Sequence, residues 1–168
     1  MGALARLVIL LIVLTVGLPF IALSRPAGGR AASSRCPVTP PRPDKQGASP
    51  FDYGNARIRA QIWPRGHLVA GRLPGGGSLA TINRDGSITA KLGWWRGVPG
   101  RLVIRGRRID RHAPRLRADV PPVRSYGATG FIPSLLTFPT VGCWRVVGAQ
   151  GGARLSFVVE VTKAKHKN

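Results

Sequence analysis

Cys36 and Cys143 are the only thiols of this chain, His67, His112 and His166 its only imidazoles, and six Asp and Glu its only side-chain carboxyls. Covalent, metal or acid–base chemistry would have to be assembled from these few groups. A cysteine nucleophile needs a nearby histidine and an orienting polar group, and no partner motif surrounds any of the three histidines. Two cysteines and three distant histidines have no zinc-finger spacing, and Asp110 with His112 reads as a surface pair between strands. Gly76-Gly77-Ser78-Leu79-Ala80 echoes a nucleophile elbow, but that elbow needs a strand-to-helix turn in an α/β sheet, and here the serine follows a glycine run in a β-type pattern. No phosphate-binding glycine motif follows a strand and opens a helix. The chain therefore reads as a non-enzyme with no catalytic residues, no metal and no cofactor.

Binding chemistry is easier to find. The stretch RGRRIDRHAPRLR carries Arg105, Arg107, Arg108, Arg111, Arg115 and Arg117. Arginine's planar fork grips phosphate or sulfate through two parallel hydrogen bonds, so these six form a candidate polyanion site. The plainer alternative is a solvated loop between strands. With 26 Lys and Arg against six acids the formal charge is +20, which admits nucleic acid, phospholipid or an anionic envelope polymer as partner. Nucleic acid is the least favoured, because no RNA-binding aromatic motif accompanies the arginines. Trp94 and Trp95 must point to opposite faces if they lie on a strand. Trp95 with Arg96 is then a candidate contact surface for a sugar or protein, against the plainer expectation that it packs under the RGVPG loop.

The N-terminus reads as an address. Arg6 precedes an apolar run from Leu7 to Leu23, Gly17 and Pro19 end its helical stretch, and Ala22 and Ser24 suit a cut before Arg25, with a second possible site after Ala31. Retention as an anchor is the alternative, since Leu7 to Leu23 just reaches the length needed to span a bilayer. Arg25, Arg30, Arg35 and Arg42 oppose translocation under the positive-inside rule, and Arg35 before Cys36 disfavours a lipoprotein. Segment 1–24 is thus a signal peptide or membrane anchor, and the protein is expected in the periplasm, at the cell surface or secreted. Residues 25–50, rich in Pro, Gly and Ser, form an arm. Two cysteines in an exported chain most simply pair, Cys36 with Cys143.

From Phe51 the chain alternates apolar and polar residues in short runs separated by turns, and 22 glycines with 15 prolines leave no sustained helical period. Ala56, Ile58, Ala60 and Ile62 alternate with Arg57, Arg59 and Gln61. Arg84-Asp85-Gly86 suits a tight hairpin, and RLVIRG, RLRADV and SLLTF are further strands. Trp144 and Val146 alternate with Arg145 and Val147, Gln150-Gly151-Gly152 turns the chain, and Leu155, Phe157, Val159 and Val161 line the return strand. The fold class is all-β, an immunoglobulin-like antiparallel β-sandwich of about eight strands over 51–162 with a basic tail at 163–168. A small barrel is the alternative. If Trp144 faces the core, Cys143 faces outward, and the bridge ties the arm across the outside of the sandwich.

KLGWWRGVPGRLVIRGRRID and ATGFIPSLLTFPTVGCWRVVGAQGGARLSFVVEV resemble the signature of a group of uncharacterised exported bacterial proteins with a Gly-Trp-Trp-Arg-Gly segment, a Gly-Arg-Arg segment and a Phe-Pro-Thr-x-Gly-Cys-Trp ending. The matching positions are Trp94, Trp95, Arg96, Gly97, Arg107, Arg108, Gly130, Phe131, Phe138, Pro139, Gly142, Cys143 and Trp144. The resemblance implies export and an Ig-like fold, and no activity; RHAPRLR departs from it by being more basic. GCWRVVG with LSFVVEV is also similar to the final hairpin of many bacterial Ig-like domains, modules of adhesion, display or protein contact. The expected function is a module binding a protein or an anionic envelope polymer, or else a membrane-anchored structural accessory held by residues 7–23.

Overall fold

Alternation of apolar and polar side chains builds ten strands among the residues described by the computed structural model, which are 36–42, 52–62, 65–71 and 80–164. The signal or anchor segment, most of the arm, the Ser78 turn, Trp63, Lys165 to Asn168 of the basic tail and His166 within it lie outside the described residues. In chain order the elements are β1 (Asp52–Asn55), β2 (Ile58–Gln61), β3 (His67–Ala70), β4 (Ala80–Ile82), β5 (Ile88–Arg96), β6 (Val103–Arg108), β7 (Arg117–Asp119), a single-turn helix α1 (Val123–Tyr126), β8 (Gly130–Phe138), β9 (Gly142–Gln150) and β10 (Ala153–Lys163). One sheet runs β1-β2-β5-β8-β7 with β4 on the remaining length of β5, and the other runs β3-β10-β9-β6.

The two sheets bury one face each against a shared core, as a sandwich requires. Along β5, Ile88, Ala90, Leu92 and Trp94 point inward and pair in register with Phe138, Leu136, Ser134 and Ile132 of β8. From the opposite sheet come Trp144 and Val146 of β9 and Phe157, Val159 and Val161 of β10. Trp94 occupies the space that a Cβ on Gly148 would need. Its indole N–H donates to Ser134 Oγ at 3.0 Å, so the largest core side chain buries its one polar atom with a partner. Trp144 does the same through Thr140 O, also at 3.0 Å.

The structure corrects the sequence reading in three places. Ala56 is exposed in the turn between β1 and β2, and the inward residues of that strand are Ile58 and Ala60. The described residues form ten strands where about eight were expected, partly because Asp-Tyr-Gly-Asn has turn composition yet pairs as β1; the positive φ of Gly54, 113°, removes the steric obstacle. The sandwich is not wholly antiparallel either, since β3 lies parallel to β10. Neighbours so far apart in sequence need no hairpin, so the usual pressure toward antiparallel pairing is absent.

Cys36 and Cys143 form a disulfide with Cα atoms 5.4 Å apart. Trp144 is buried in the core, and Cys143, one residue earlier, faces outward under the arm. β3 starts at His67, opposite Glu160, which leaves Val158 of β10 without a β3 partner. The arm takes that place: Thr39 N–H donates to Val158 O at 3.0 Å, and Val158 N–H donates to Thr39 Oγ1 at 2.8 Å. The staple and these two bonds cover one end of the four-stranded sheet's outer face. A structural disulfide of this kind belongs to oxidising compartments, and no helix among the described residues is long and apolar enough to cross a membrane.

Candidate anion-binding groove

The uncovered end of that face is formed by the outward residues of β6, β9 and β10. On β6 the inward positions are Ile104 and Gly106, which turns Val103, Arg105 and Arg107 outward. On β9 the inward Trp144, Val146 and Gly148 turn Arg145, Val147 and Ala149 outward. Register then sets Val103 opposite Ala149, Arg105 opposite Val147 and Arg107 opposite Arg145. The Gly151-Gly152 turn, both residues at positive φ, returns the chain so that Arg154 lies opposite Ala149 on the other side.

The result is a groove of about 810 Å³ with an apolar floor of Val103, Val147 and Ala149. Six arginines line it: Arg101, Arg105, Arg107, Arg115, Arg145 and Arg154. None of its lining residues is acidic or aromatic. Like charges directly across a ladder destabilise a sheet, and Arg107 opposite Arg145 is such a pair.

Of the six arginines singled out from the sequence, Arg105, Arg107 and Arg115 line the groove. The other three do not. Arg108 is turned away by Asp110, whose two carboxylate oxygens accept from Nε at 2.7 Å and Nη2 at 2.9 Å, while Nη1 donates to Thr140 Oγ1 at 3.0 Å. Its hydrogen bonds hold the Asp110 carboxyl down at about 2, and its guanidinium fills the space over Gly142. Arg111 is exposed in the turn beyond β6, and Arg117 is exposed on β7, in the other sheet. There Asp85 is held below the ordinary carboxylate range first by the Ser87 hydroxyl and in smaller part by the Arg117 charge. Arg101, Arg145 and Arg154 escaped the sequence reading because they are scattered along the chain. The hairpin signal around Gly151 could have placed Arg145 and Arg154 outward, but not beside β6.

The second candidate surface divides between its two residues. Trp95 is 46% exposed, with the Arg59 guanidinium 5.6 Å from its ring centroid, so it is not packed under the RGVPG loop. Beside it in register is Phe131, 52% exposed, whose ring lies over Gly93. Arg96 is no surface residue; at 1% exposure it is a core arginine. It donates to Tyr126 O at 2.8 Å, Thr129 O at 3.0 Å and Gly130 O at 3.1 Å. Burial depresses its pKa, and the three carbonyls explain why a charge is tolerated there: the chain leaving α1 needs donors that its own backbone does not supply.

Of the groups with catalytic potential, both thiols are consumed by the disulfide, His67 Nδ1 lies 2.8 Å from Glu160 Oε2, and His112 is exposed. Comparison of the chain with known protein families, with curated proteins and with solved structures finds no match in any of the three.

Proposed function

We propose that this protein is an exported, non-enzymatic Ig-like module that holds an anionic polymer of the cell envelope on the outer face of its four-stranded sheet. The observation that carries the proposal is Arg107 opposite Arg145 within a groove lined by six arginines and no acid. Such an arrangement costs stability in the free protein, and an anion lying across both guanidinium groups removes that cost.

The strand order supports the Ig-like part of the reading. With β2, β5, β8 and β7 as one layer and β6, β9 and β10 as the other, the order matches the A-B-E-D and C-F-G layers of immunoglobulin constant domains. The disulfide supports export. The resemblance to the exported group that carries the Trp-Trp-Arg-Gly and Gly-Cys-Trp segments fits the same picture. Trp94, Arg96, Arg108, Gly142, Cys143 and Trp144 are all structural here, so a shared signature at these positions would mark a shared fold more than a shared ligand.

Retention of the folded chain on anionic envelope material tests the function. Retention should fall steeply from low to high salt, as counterion release requires, and should fall by about tenfold when Arg107→Gln and Arg145→Gln are combined. Retention that ignores both salt and the double variant overturns the proposal.

A further inference from the structure

The composition of the groove narrows the class of polymer. Resting on the polyanion reading above, we infer that its occupant is a polyol–phosphodiester polymer, in which phosphates alternate with short aliphatic linkers. Six arginines make the walls almost purely hydrogen-bond donating. Gln150 is the one lining side chain able to accept a hydrogen bond, and its Oε1 is buried out of a ligand's reach while its amide nitrogen donates to Val98 O at 2.6 Å and Ala128 O at 3.2 Å. β9, the middle strand of the groove, is paired on both sides, so its backbone carbonyls are spent.

A surface whose exposed side chains donate and do not accept suits a ligand that mainly accepts. Phosphodiester oxygens are acceptors throughout, whereas each ring of a uronic acid polymer brings several hydroxyl donors that would meet no acceptor. The floor of Val103, Val147 and Ala149 offers only van der Waals contact, which suits a CH₂-rich linker. A single-stranded nucleic acid would need aromatic platforms for its bases, and the groove has none. The exposed aromatics Trp95 and Phe131 belong to the other sheet. Spacing agrees as well. Arg105 and Arg107 are two residues apart on β6, about 6.8 Å, and Arg107 and Arg145 are on strands about 4.8 Å apart, a charge lattice on the scale of successive phosphates joined by short linkers.

The test measures binding of the full chain to three polymers at matched charge concentration and ionic strength: a glycerol-phosphate polymer, a polyuronate and a single-stranded oligothymidylate. The expected result is about tenfold tighter binding to the glycerol-phosphate polymer than to either other, with that margin lost in the Arg107→Gln, Arg145→Gln variant. A control with Arg84→Gln and Arg111→Gln removes the same charge outside the groove and should change binding by about twofold or less. Thermal melts of both variants confirm that they fold. Equal binding of polyuronate overturns the phosphodiester assignment and leaves the polyanion reading standing. Tighter binding of the oligothymidylate overturns the polyol linker. Binding to none of the three, or equal losses in the two double variants, overturns both.

Discussion

The outer faces of the two sheets are built by the same alternation and carry opposite chemistry. On the four-stranded sheet, one end of the face carries the disulfide-tied arm and another part is an arginine groove with no acid among its lining residues. On the six-stranded sheet, Trp95, Phe131 and Leu135 stand out among mixed charges, including Arg59, Lys91 and Asp119. A net charge of +20 spread evenly would give two similar faces. Concentrating cations with no acid among the lining residues on one, and apolar rings on the other, means that bulk charge does not predict where an anion binds.

Adjacent tryptophans test how completely the faces are separated from the core. Trp94→Ala should cost about 3–5 kcal/mol, because the ring fills the space between the sheets and no neighbour can collapse into it. Trp95→Ala should cost about 1 kcal/mol or less, since it loses an exposed ring and one cation–π contact. Denaturant melts of the two variants measure the contrast, and similar losses would mean that the outer aromatic face is itself a packed structure.

The staple lies at one end of the four-stranded face and the groove at another. Cys143→Ser should lower stability by about 2–4 kcal/mol, given a sequence separation of 107 residues. Groove binding should persist, because the arm's bonds to the sheet run to Val158 and Cys143, neither of which lines the groove. Loss of polymer binding in this variant would make the arm and the groove one site.

Asp110 explains why Arg108 is structural and its neighbour Arg107 is not. Its folded pKa of about 2 lies below the ordinary 3.8, so its contribution is fully present above the unfolded pKa and is lost as pH falls from about 4 toward 2. That contribution is roughly 2 kcal/mol at most. Asp110→Asn should flatten this part of the pH–stability profile, and an unchanged slope would remove Asp110 from the account. The smallest effect has the opposite sign. Arg107→Gln should raise stability by a few tenths of a kcal/mol by relieving the pair with Arg145, while weakening polymer binding. A loss of stability instead would show that the free groove already holds its charges without strain.

Much of the architecture was legible. Alternation marked β2, β9 and β10, the Asp85-Gly86 and Gly151-Gly152 turns marked hairpins, and two cysteines in a chain read as exported marked the bridge. Arg96 was misread because arginine is almost always at the surface, and its buried role depends on three carbonyls from residues 126–130, 30 to 34 positions away. The basic run misled for a related reason. Proximity in sequence suggested one patch from Arg105 to Arg117, but a strand edge, an acid and a crossing between sheets divide it.

By itself, the sequence determined which side chains of each strand point in and which point out, because that period of two is a property of the extended backbone alone. It also determined the excess of arginine and the pairing of the only two cysteines. Only the tertiary structure decided which outward residues became neighbours. Arg107 and Arg145 share a site because β6 and β9 pair in one register, and that register is held by Ile104, Val146 and Trp94 packing in the core. Strand pairing between distant segments is fixed by burial on the inner face, so the composition of the outer face follows from contacts that no local pattern contains.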